Sequence, residues 1–439
     1  MRLQVLEWAA LDAAGRARAL ARPSAREQAG VLEAVRAIVA AVREGGDAAL
    51  RACAQRFDGG APEALRVPAS EVDAAVAEVG PAAVAALQRA AANLRRFHEA
   101  QRLAPLALET EPGVRCERIV RPIEAVGLYV PAGSAPLPSA LLMGAVPAAI
   151  AGCPRRVLCT PPGRGGRVDP TILAAARVAG IDEVYAVGGA HAIAALAYGT
   201  ESIARVDKIF GPGSAWVTAA KQVVAADPQG AALDLPAGPS EVLVIADEGA
   251  RADFVAADLL AQAEHDPLSQ ALLLTPSPAL AGRVADEVAR QAPGLSRSEV
   301  LAHSVAQSRA LVVASLDEAL SVSNRYAPEH LILQVQDARR WLDAVTCAGS
   351  VFLGPWTPEP LGDYCSGTNH VLPTYGYARA YSGLSLLDFV KRITVQELTP
   401  DGLRGLGPVA ETLAGMEGLD GHAAAVRLRL AALRAQATR

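Results

Sequence analysis

Short apolar segments, each bounded by glycine or proline, alternate with longer helical patterns through most of the chain after Ile123. Short apolar runs rich in β-branched side chains are typical of buried strands. Strands that alternate with helices favour βαβ units, and such units build a parallel sheet with helices on its faces. The alternation therefore predicts an α/β fold.

Two series of strands are predicted. The first comprises residues 125–130, 156–160, 183–187 and 208–210, with helices at 137–151 and 192–198. The second comprises residues 241–246, 271–275, 310–314, 330–334 and 350–354, again with helices between the strands. Two comparable series predict two α/β layers. A duplication would explain them, but the similarity between the series is too low to establish one from this chain alone.

Both ends of the chain are predicted to be mainly helical. Alanine-rich runs at 24–43 and 81–102 carry apolar residues at helical spacing. The last segment, 388–439, is also predicted to be mostly helical, with arginines near its end. No low-complexity linker separates these parts, so composition marks no domain boundary.

Composition narrows the class of protein. The 439 residues are 51% hydrophobic and 20% charged, which indicates a globular rather than a disordered chain. This length favours about two to four domains. The formal net charge is −5 and no basic cluster is present, so a nucleic-acid partner is not expected.

The sequence carries no signal for export or membrane insertion. Acidic residues occur early, without the continuous apolar run of a signal peptide. The apolar stretch 137–151 is interrupted by prolines and is too short to span a bilayer. Six cysteines form no Cys-x-x-Cys pair, which favours reduced thiols. We therefore expect a cytoplasmic protein without a membrane partner.

Only seven histidines are present, and one of them ends a predicted helix at 254–265. Gln262 and His265 are three residues apart and share a helix face, so both side chains could reach one metal ion. A polar helix C-terminus, with histidine favourable near the helix dipole, is the alternative. Two other histidines, His98 and His303, are expected to be surface residues without a role.

Two further polar clusters could carry chemistry. Glu329 and His330 open a predicted strand and could supply an acid and a base, since the histidine pKa suits proton transfer near neutrality. In the polar loop 362–370, Asp363 could be an oxygen ligand and His370 a substrate contact. A satisfied polar pair and an ordinary surface loop are the respective alternatives.

Glycine turns follow two of the predicted strands. Gly188-Gly189 follows the strand 183–187, and Gly211-Pro212-Gly213 follows the strand 208–210. Either turn could let a dinucleotide approach backbone amides at the start of a helix. Neither matches the full Gly-x-Gly-x-x-Gly fingerprint, so the turns alone indicate a dinucleotide only weakly.

Taken in order, long stretches of the chain resemble histidinol dehydrogenases, from about Val126 to His422, with weaker similarity before them. The stretches are Val126-Gly-Leu-Tyr-Val-Pro-Ala-Gly, Lys208-Ile-Phe-Gly-Pro-Gly, Leu235-Pro-Ala-Gly-Pro-Ser-Glu, Leu259-Leu-Ala-Gln-Ala-Glu-His, Asn324-Arg-Tyr-Ala-Pro-Glu-His-Leu, Gly362-Asp-Tyr-Cys-Ser-Gly-Thr-Asn-His-Val-Leu-Pro-Thr and Ile393-Thr-Val-Gln-Glu. Chance agreement across all of them is not credible.

The resemblance implies a zinc-dependent oxidation of L-histidinol, through L-histidinaldehyde, to L-histidine with two NAD⁺, the last step of histidine biosynthesis. It implies that Glu329 activates water and that His330 is the general base. It also implies a zinc site formed by Gln262, His265, Asp363 and, from the other subunit of a homodimer, His422. The implied substrate contacts are Ser240, Gln262, His265, His330, Asp363, His370, Glu417 and His422.

The resemblance implies NAD⁺ contacts at Tyr129, His191 and Ser214. Two of these depart from the family pattern, which has glutamine at position 191 and asparagine at position 214. Both departures concern the cofactor rather than the metal or the base. Cofactor affinity is therefore less well defined by the resemblance than zinc binding is.

The implied fold is two incomplete Rossmann-like domains, one inserted into the other, with small, mainly helical terminal elements exchanged across a dimer. The expected parts are an N-terminal arm at 1–25, a first Rossmann-like domain at 26–128 and 241–385, a second, NAD-binding one at 129–240, and a helical dimerisation segment at 386–439.

Two other functions fit parts of the pattern. An enzyme on the same scaffold could oxidise another small alcohol, such as a sulfonated diol, and substrate profiling would separate it by preference for an imidazole. A non-catalytic metal-binding scaffold would bind zinc but form no NADH from any alcohol. The joint presence of Glu329, His330 and Glu417 favours histidinol.

Overall fold

The computed structural model describes residues 1–23, 28–58, 60, 62–132, 135–163, 165–236 and 238–437. Residues 24–27, at the start of the helix predicted for 24–43, lie outside this description, as do Gly133 and Ala237 of the family-like stretches. The chain forms two compact units. The larger comprises Met1–Gln101 and Ile123–Phe389, and the smaller comprises Arg102–Pro122 and Val390–Arg439.

The strands are, in chain order, β1 (Gln4–Glu7), β2 (Leu106–Glu111), β3 (Val114–Pro122), β4 (Ala125–Tyr129), β5 (Arg155–Thr160), β6 (Glu183–Ala186), β7 (Lys208–Phe210), β8 (Ala232–Leu233), β9 (Glu241–Ala246), β10 (Gln270–Thr275), β11 (Arg309–Val312), β12 (His330–Gln334), β13 (Ser350–Leu353) and β14 (Val390–Leu398). The α-helices are α1 (Ala13–Ala19), α2 (Gln28–Phe57), α3 (Ala69–Glu99), α4 (Pro138–Ala151), α5 (Pro170–Ala179), α6 (Gly189–Tyr198), α7 (Ala215–Ala225), α8 (Ala252–Ala263), α9 (Pro278–Gln291), α10 (Ser298–Gln307), α11 (Leu316–Tyr326), α12 (Glu359–Tyr364), α13 (Pro400–Met416) and α14 (Asp420–Ala437).

The first sheet of the larger unit has five parallel strands in the order β6-β5-β4-β7-β8. One of its faces packs against α2, α6 and α7, and the other packs against α3, α4 and α5. Every residue of β4 is buried, because helices cover both faces of the sheet. The strand order, counted from the first strand, is that of a Rossmann-like sheet.

The second sheet has six parallel strands in the order β1-β11-β10-β9-β12-β13. Its strands β9 to β13 repeat the order of the first sheet, and β1 is added at one edge. The chain thus enters the second sheet at β1, builds the whole first sheet, and returns at β9. This insertion confirms the predicted fold class of two incomplete Rossmann-like parts.

The predicted grouping of residues 26–128 with 241–385 differs from this packing. The buried side chains of α2 and α3 belong to the cores around β4 to β8, and a boundary at residue 128 would cut β4. The N-terminal arm contributes β1 to the six-stranded sheet. Helical spacing predicts that α2 and α3 form, but the sheet on which they pack depends on contacts far along the chain.

The smaller unit combines an antiparallel sheet, in the order β14-β3-β2, with the helix pair α13 and α14. The prediction that residues 388–439 are mostly helical holds for the two helices but is wrong for β14, a strand of nine residues. The β-branched Val390, Ile393 and Val395 suit a strand. Because the partner strand β3 lies far earlier in the chain, the pairing is not visible locally.

Helix limits differ from the predicted ones where glycine or proline intervenes. The helix predicted to begin at Pro81 continues back to Ala69 across Gly80, whose φ of 79° kinks it. A similar kink lies at Gly46 within α2. Among the described helices, none is long and apolar enough to cross a membrane.

Candidate active site

Three elements of the larger unit bring polar side chains together at the amino edge of the six-stranded sheet. Glu329 and His330 lie at the start of β12, and α12 carries Glu359 and Asp363. His330 Nε2 lies 3.3 Å from Asp363 Oδ1 and 3.8 Å from Glu359 Oε1. The last turn of α8 adds Gln262 to the cluster, and His265 follows that helix.

The cluster contains a set of oxygen and nitrogen donors suited to a metal ion. His265, Glu359 and Asp363 offer ligand atoms that all lie within 4.8 Å of one another. Gln262 is fully buried, and neither its Oε1 nor its Nε2 has a hydrogen-bond partner among the described residues. Buried polar atoms without partners are rare and indicate a missing ion or ligand. The donor set therefore fits a divalent metal such as zinc.

His330 is held in one tautomer by the backbone. Its Nδ1 lies 3.1 Å from the carbonyl oxygen of Glu241. Because a carbonyl only accepts, Nδ1 carries the proton, and Nε2 faces the carboxylates. Burial disfavours the charged ring, but the surrounding carboxylates outweigh it and raise the pKa of His330 to about 10. These carboxylates thus favour a ring that is also protonated at Nε2, and a cation bound to Asp363 would lower the pKa of His330 again.

Glu329 is buried beside His330. Its Oε2 accepts the Glu241 N–H at 2.7 Å and lies 3.6 Å from His330 Nδ1. Burial raises the pKa of Glu329 to about 8, although nearby His330 and the bond to Glu241 oppose this. The start of β13 fixes the backbone, since Ser350 N–H donates to the Glu329 carbonyl at 2.9 Å. Glu329 can therefore exchange a proton near neutral pH.

The sequence analysis missed Glu359. This side chain is 1% exposed, and its Oε1 has no hydrogen-bond partner among the described residues. Burial and the neighbouring Asp363 raise the pKa of Glu359 to about 9. The Asp363 pKa falls well below its usual range because His330 outweighs the effect of burial. A signal was available, since residues 359 and 363 have the i,i+4 spacing of one helix face.

The other predicted substrate contacts of the larger unit lie around this cluster. His370 Nδ1 contacts the Asp363 carbonyl oxygen at 2.7 Å, and burial lowers the His370 pKa. Ser240 is half-buried immediately before β9. His265 is exposed just after α8. Glu417 and His422 are exposed side chains of the smaller unit, at the end of α13 and in the first turn of α14.

The predicted cofactor residues lie in the five-stranded sheet and its helices. Tyr129 ends β4, and Ser214 is the exposed N-cap residue of α7, which follows β7. β4 and β7 are neighbours at the point where the strand order reverses, the usual place for a nucleotide in such sheets. His191 lies in the first turn of α6 and is 1% exposed.

The turn at Gly188 and Gly189 already has acceptors within the protein. Asp58 Oδ2 accepts the Gly188 N–H at 3.2 Å, and the Tyr129 hydroxyl accepts the Gly189 N–H at 3.0 Å. His191 Nε2 lies 3.0 Å from the same Asp58 oxygen. The predicted use of these two amides by a dinucleotide therefore competes with Asp58 and Tyr129.

His98 was predicted to be a surface residue, and this is wrong. It is fully buried, with Nδ1 2.9 Å from the Leu94 carbonyl and Nε2 3.5 Å from Asn369 Nδ2. Asn369 Nδ2 also donates to the Met143 carbonyl at 2.8 Å. His98 thus packs behind the loop that carries His370. His303 is exposed, as expected.

Comparison of the fold identifies a solved structure of the same architecture. The chain superposes on a histidinol dehydrogenase from Elizabethkingia anophelis with a TM-score of 0.93 and 43% sequence identity, covering 98% of this chain and 99% of that one. The fold and the site therefore define an α/β oxidoreductase of this type.

Sequence comparison agrees. Residues 21–430 match the family described as histidinol dehydrogenase. A histidinol dehydrogenase from Vibrio parahaemolyticus is 52% identical over 428 residues, which cover 98% of both chains. One from Xanthomonas axonopodis pv. citri is 55% identical over 428 residues, 98% of this chain and 99% of that one. The chain belongs to the histidinol dehydrogenase family.

Proposed function

We propose that this enzyme oxidises L-histidinol, through L-histidinaldehyde, to L-histidine with two NAD⁺, the last step of histidine biosynthesis. One observation supports this proposal above all. In a chain of this family, a set of metal donors with buried atoms that lack a hydrogen-bond partner among the described residues lies beside Glu329 and His330. A substrate that bears an amine and an imidazole suits such a site, since its nitrogens can complete a metal's ligand shell.

The residues proposed to hold the zinc are Gln262, His265 and Asp363, with His422 of a second subunit. Both polar side-chain atoms of Gln262, Oε1 and Nε2, are buried without a hydrogen-bond partner in the described part of the chain, which supports a ligand there. A zinc ion held by these side chains would supply a Lewis acid that orients the amino and imidazole nitrogens of the substrate. Glu359 adds a carboxylate to the same group.

His330 is proposed as the general base of both oxidation steps. Its Nδ1–H donates to the Glu241 carbonyl, which leaves Nε2 as the atom that removes the alcohol proton. Bound NAD⁺ would supply the acceptor for the hydride that leaves the carbon bearing this hydroxyl group. Asp363, 3.3 Å from Nε2, favours the protonated ring that results.

Glu329 is proposed to activate water for the second oxidation. Its carboxyl group is buried and its pKa of about 8 permits proton uptake near neutral pH. Water added to the retained aldehyde gives a hydrate, which His330 deprotonates as hydride leaves for the second time. Retention of the aldehyde protects a reactive amino-aldehyde from the solvent.

The cofactor site is proposed at Tyr129, His191 and Ser214. The support is the position of two of these residues: Tyr129 ends β4, and Ser214 lies at the end of the turn that follows β7. β4 and β7 are the neighbouring strands at which the strand order reverses. His191 contacts Asp58 and so remains anchored in place of the glutamine of the family pattern.

We also propose a homodimer whose site is completed by Glu417 and His422 of the second subunit. The support is the smaller unit, which exposes several large apolar side chains; Met416 is 78% and Leu428 is 72% exposed. Apolar side chains exposed to this extent would be covered by a second subunit if they lie together on one surface. The proposed location is the cytoplasm, since the chain belongs to a family of biosynthetic dehydrogenases.

The decisive experiment follows NADH formation from L-histidinol and counts two NADH for each L-histidine. A marked preference for an alcohol without an imidazole would assign another substrate, and zinc binding without NADH from any alcohol would refute the proposal that the protein is an enzyme.

The metal is tested separately. Chelation should abolish activity and zinc should restore it. Gln262→Ala should lower the zinc content, and exposed Gln336→Ala is the matched control.

A further inference from the structure

A buried ion pair lies directly behind the acid–base pair. The Arg22 guanidinium contacts both carboxylate oxygens of Glu241, through Nε to Oε1 and through Nη2 to Oε2 at 2.8 Å. Only 14% of the arginine side chain and 4% of the glutamate side chain are exposed. Such two-point contacts between guanidinium and carboxylate fix orientation as well as distance.

The backbone of Glu241 is the common support of both proposed acid–base residues. Its N–H donates to Glu329 Oε2 at 2.7 Å, and its carbonyl accepts from His330 Nδ1 at 3.1 Å. A shift of Glu241 therefore moves the partner of each side chain at once.

Arg22 also holds the turn that leads into the pair. Its Nη2 donates to the carbonyls of Tyr326 at 2.8 Å and Ala327 at 3.3 Å. Ala327 has a φ of 54°, a left-handed conformation that is unfavourable for alanine, and it lies two residues before Glu329. The guanidinium carbon lies 3.9 Å from the centre of the Tyr326 ring. One side chain thus restrains the turn before the pair and the strand beside it.

Further contacts hold the Glu241 carboxylate and the segment around Arg22 in place. Tyr375 N–H donates to Glu241 Oε1 at 2.9 Å, and the Tyr375 hydroxyl donates to the Pro23 carbonyl at 3.1 Å. The Gln270 side chain donates to the Ala21 carbonyl at 3.0 Å. The chain segment on both sides of Arg22 is therefore tied to the elements around Glu241.

We propose that Arg22, acting through Glu241, is a positioning residue for the acid–base pair Glu329 and His330. This inference rests on the proposed function, which assigns chemistry to that pair. Arg22 touches neither side chain of the pair. It sets the tautomer and direction of the His330 ring and the direction of the Glu329 carboxylate through one restrained backbone segment.

The test compares Arg22→Gln and Arg22→Lys with Arg2→Gln. Arg2 makes an exposed ion pair with Asp286 in the same N-terminal segment, so it is a matched control. For Arg22→Gln we expect kcat to fall about 10- to 100-fold for both L-histidinol and L-histidinaldehyde, because misplacement of a reacting group lowers the rate steeply. KM for L-histidinol and zinc content should remain within about twofold of the wild type, a split that a general loss of structure would not give.

Arg22→Lys keeps the charge but offers a single nitrogen to several acceptors, so its kcat should be intermediate. If Arg22→Gln does not fold, the same measurements on Arg22→Lys replace it. A folded Arg22 variant with wild-type kcat would overturn the inference, as would a loss of zinc or a rise in KM with kcat unchanged.

A second readout does not depend on activity. In protein labelled with [¹⁵N]histidine, the ring N–H signal of His330 is assigned as the one that disappears in the His330→Asn variant. This signal reports the hydrogen bond from Nδ1 to the Glu241 carbonyl. It should be protected from exchange in the wild type and lose that protection in Arg22→Gln. An unchanged signal would refute the positioning role, whereas a wild-type protein that forms no NADH would refute the proposed function alone.

Discussion

The two sheets of the larger unit share one strand order but present their candidate site residues at opposite edges. In the five-stranded sheet, Tyr129 ends β4 and Ser214 follows β7, so these residues lie beyond carboxyl ends of strands. In the six-stranded sheet, Ser240 precedes β9, and Glu329 and His330 lie at the start of β12. Strand order alone therefore does not decide at which ends of its strands a Rossmann-like sheet presents candidate site residues.

The two edges also differ in how well their polar groups are satisfied. Near the cofactor residues, Asp58 contacts His191, and Asp234 pairs with buried Lys221. At the other edge, Gln262, Glu359 and Asp363 each keep a buried atom without a hydrogen-bond partner among the described residues. The amino ends of β9 and β12, the proposed catalytic edge, therefore hold three buried side chains that bound ligands could satisfy, whereas Asp58 and Asp234 at the carboxyl ends of β4 and β7, the proposed cofactor edge, already have partners within the protein.

The largest expected effect would test the catalytic edge. His330→Asn should lower kcat by about 10²- to 10⁴-fold for both L-histidinol and L-histidinaldehyde, because a general base is lost. Glu329→Gln should impair oxidation of the aldehyde more than the first hydride transfer. Single-turnover NADH formation from each substrate measures the two steps. Exposed His303→Asn is the control, and equal, mild effects of both variants on both steps would contradict the assigned roles.

The next effect tests whether His422 of a second subunit completes the proposed metal site. His330→Asn and His422→Ala chains should each be inactive alone. In a heterodimer with a shared site, one site receives both defects and the other receives none. Random association gives about half heterodimers, so about a quarter of wild-type activity should return.

Co-expression with two tags allows the heterodimers to be isolated and verified. Each purified variant mixed with wild-type chains provides the reference for active sites per dimer. If verified heterodimers of the two variants stay inactive, His422 serves its own chain, and the catalytic edge is complete within one subunit.

A smaller effect is the pH dependence of stability in the metal-free protein. Glu329 keeps its proton to about pH 8 when folded, but an unfolded chain loses it near the usual glutamate pKa of about 4.3. Between these values the folded state binds more protons, so the free energy of unfolding falls as pH rises, by up to about 1.4 kcal/mol per pH unit.

Urea unfolding in the presence of a chelator, from pH 5 to pH 8, measures this slope. Glu329→Gln should make it shallower, and exposed Glu248→Gln should leave it unchanged. His330, whose pKa is raised to about 10, acts in the same direction, since its proton is also retained on folding. A slope that is the same in wild type and Glu329→Gln would show that Glu329 is not buried as a protonated group.

The smallest effect is expected at the cofactor edge. The double variant His191→Gln, Ser214→Asn restores the family pattern and should lower the KM for NAD⁺ by about threefold, or about 0.6 kcal/mol. The effect is small because a glutamine amide can also donate to Asp58. Initial rates at saturating L-histidinol measure it. An unchanged or higher KM would show that the pairing of Asp58 with His191 already compensates.

Much of the framework follows from local pattern. The limits of β9 and β12 agree with the predicted ones, since both strands have apolar centres and are buried along their whole length. Gln262 and His265 are suggested by spacing at a helix end. The resemblance then assigns roles that spacing could not, and it does so only where whole motifs agree.

Other features could be read only from the folded chain. β14 pairs with a strand from far earlier in the sequence, and α2 and α3 join a sheet that their own periodicity does not specify. His98 lies in a basic, polar segment and yet is fully buried beside Asn369. In each case the outcome depends on which distant surface packs against the segment.

The sequence by itself determined the alternation of strands and helices, the buried runs that form the sheets, and the motifs that carry the family. The tertiary structure alone decided that Arg22 meets Glu241, that Asp58 meets His191 and that Glu359 faces His330. The physical reason is that hydrophobic periodicity specifies how each segment buries itself, whereas polar partners are chosen after packing has brought distant segments together and excluded water from between them.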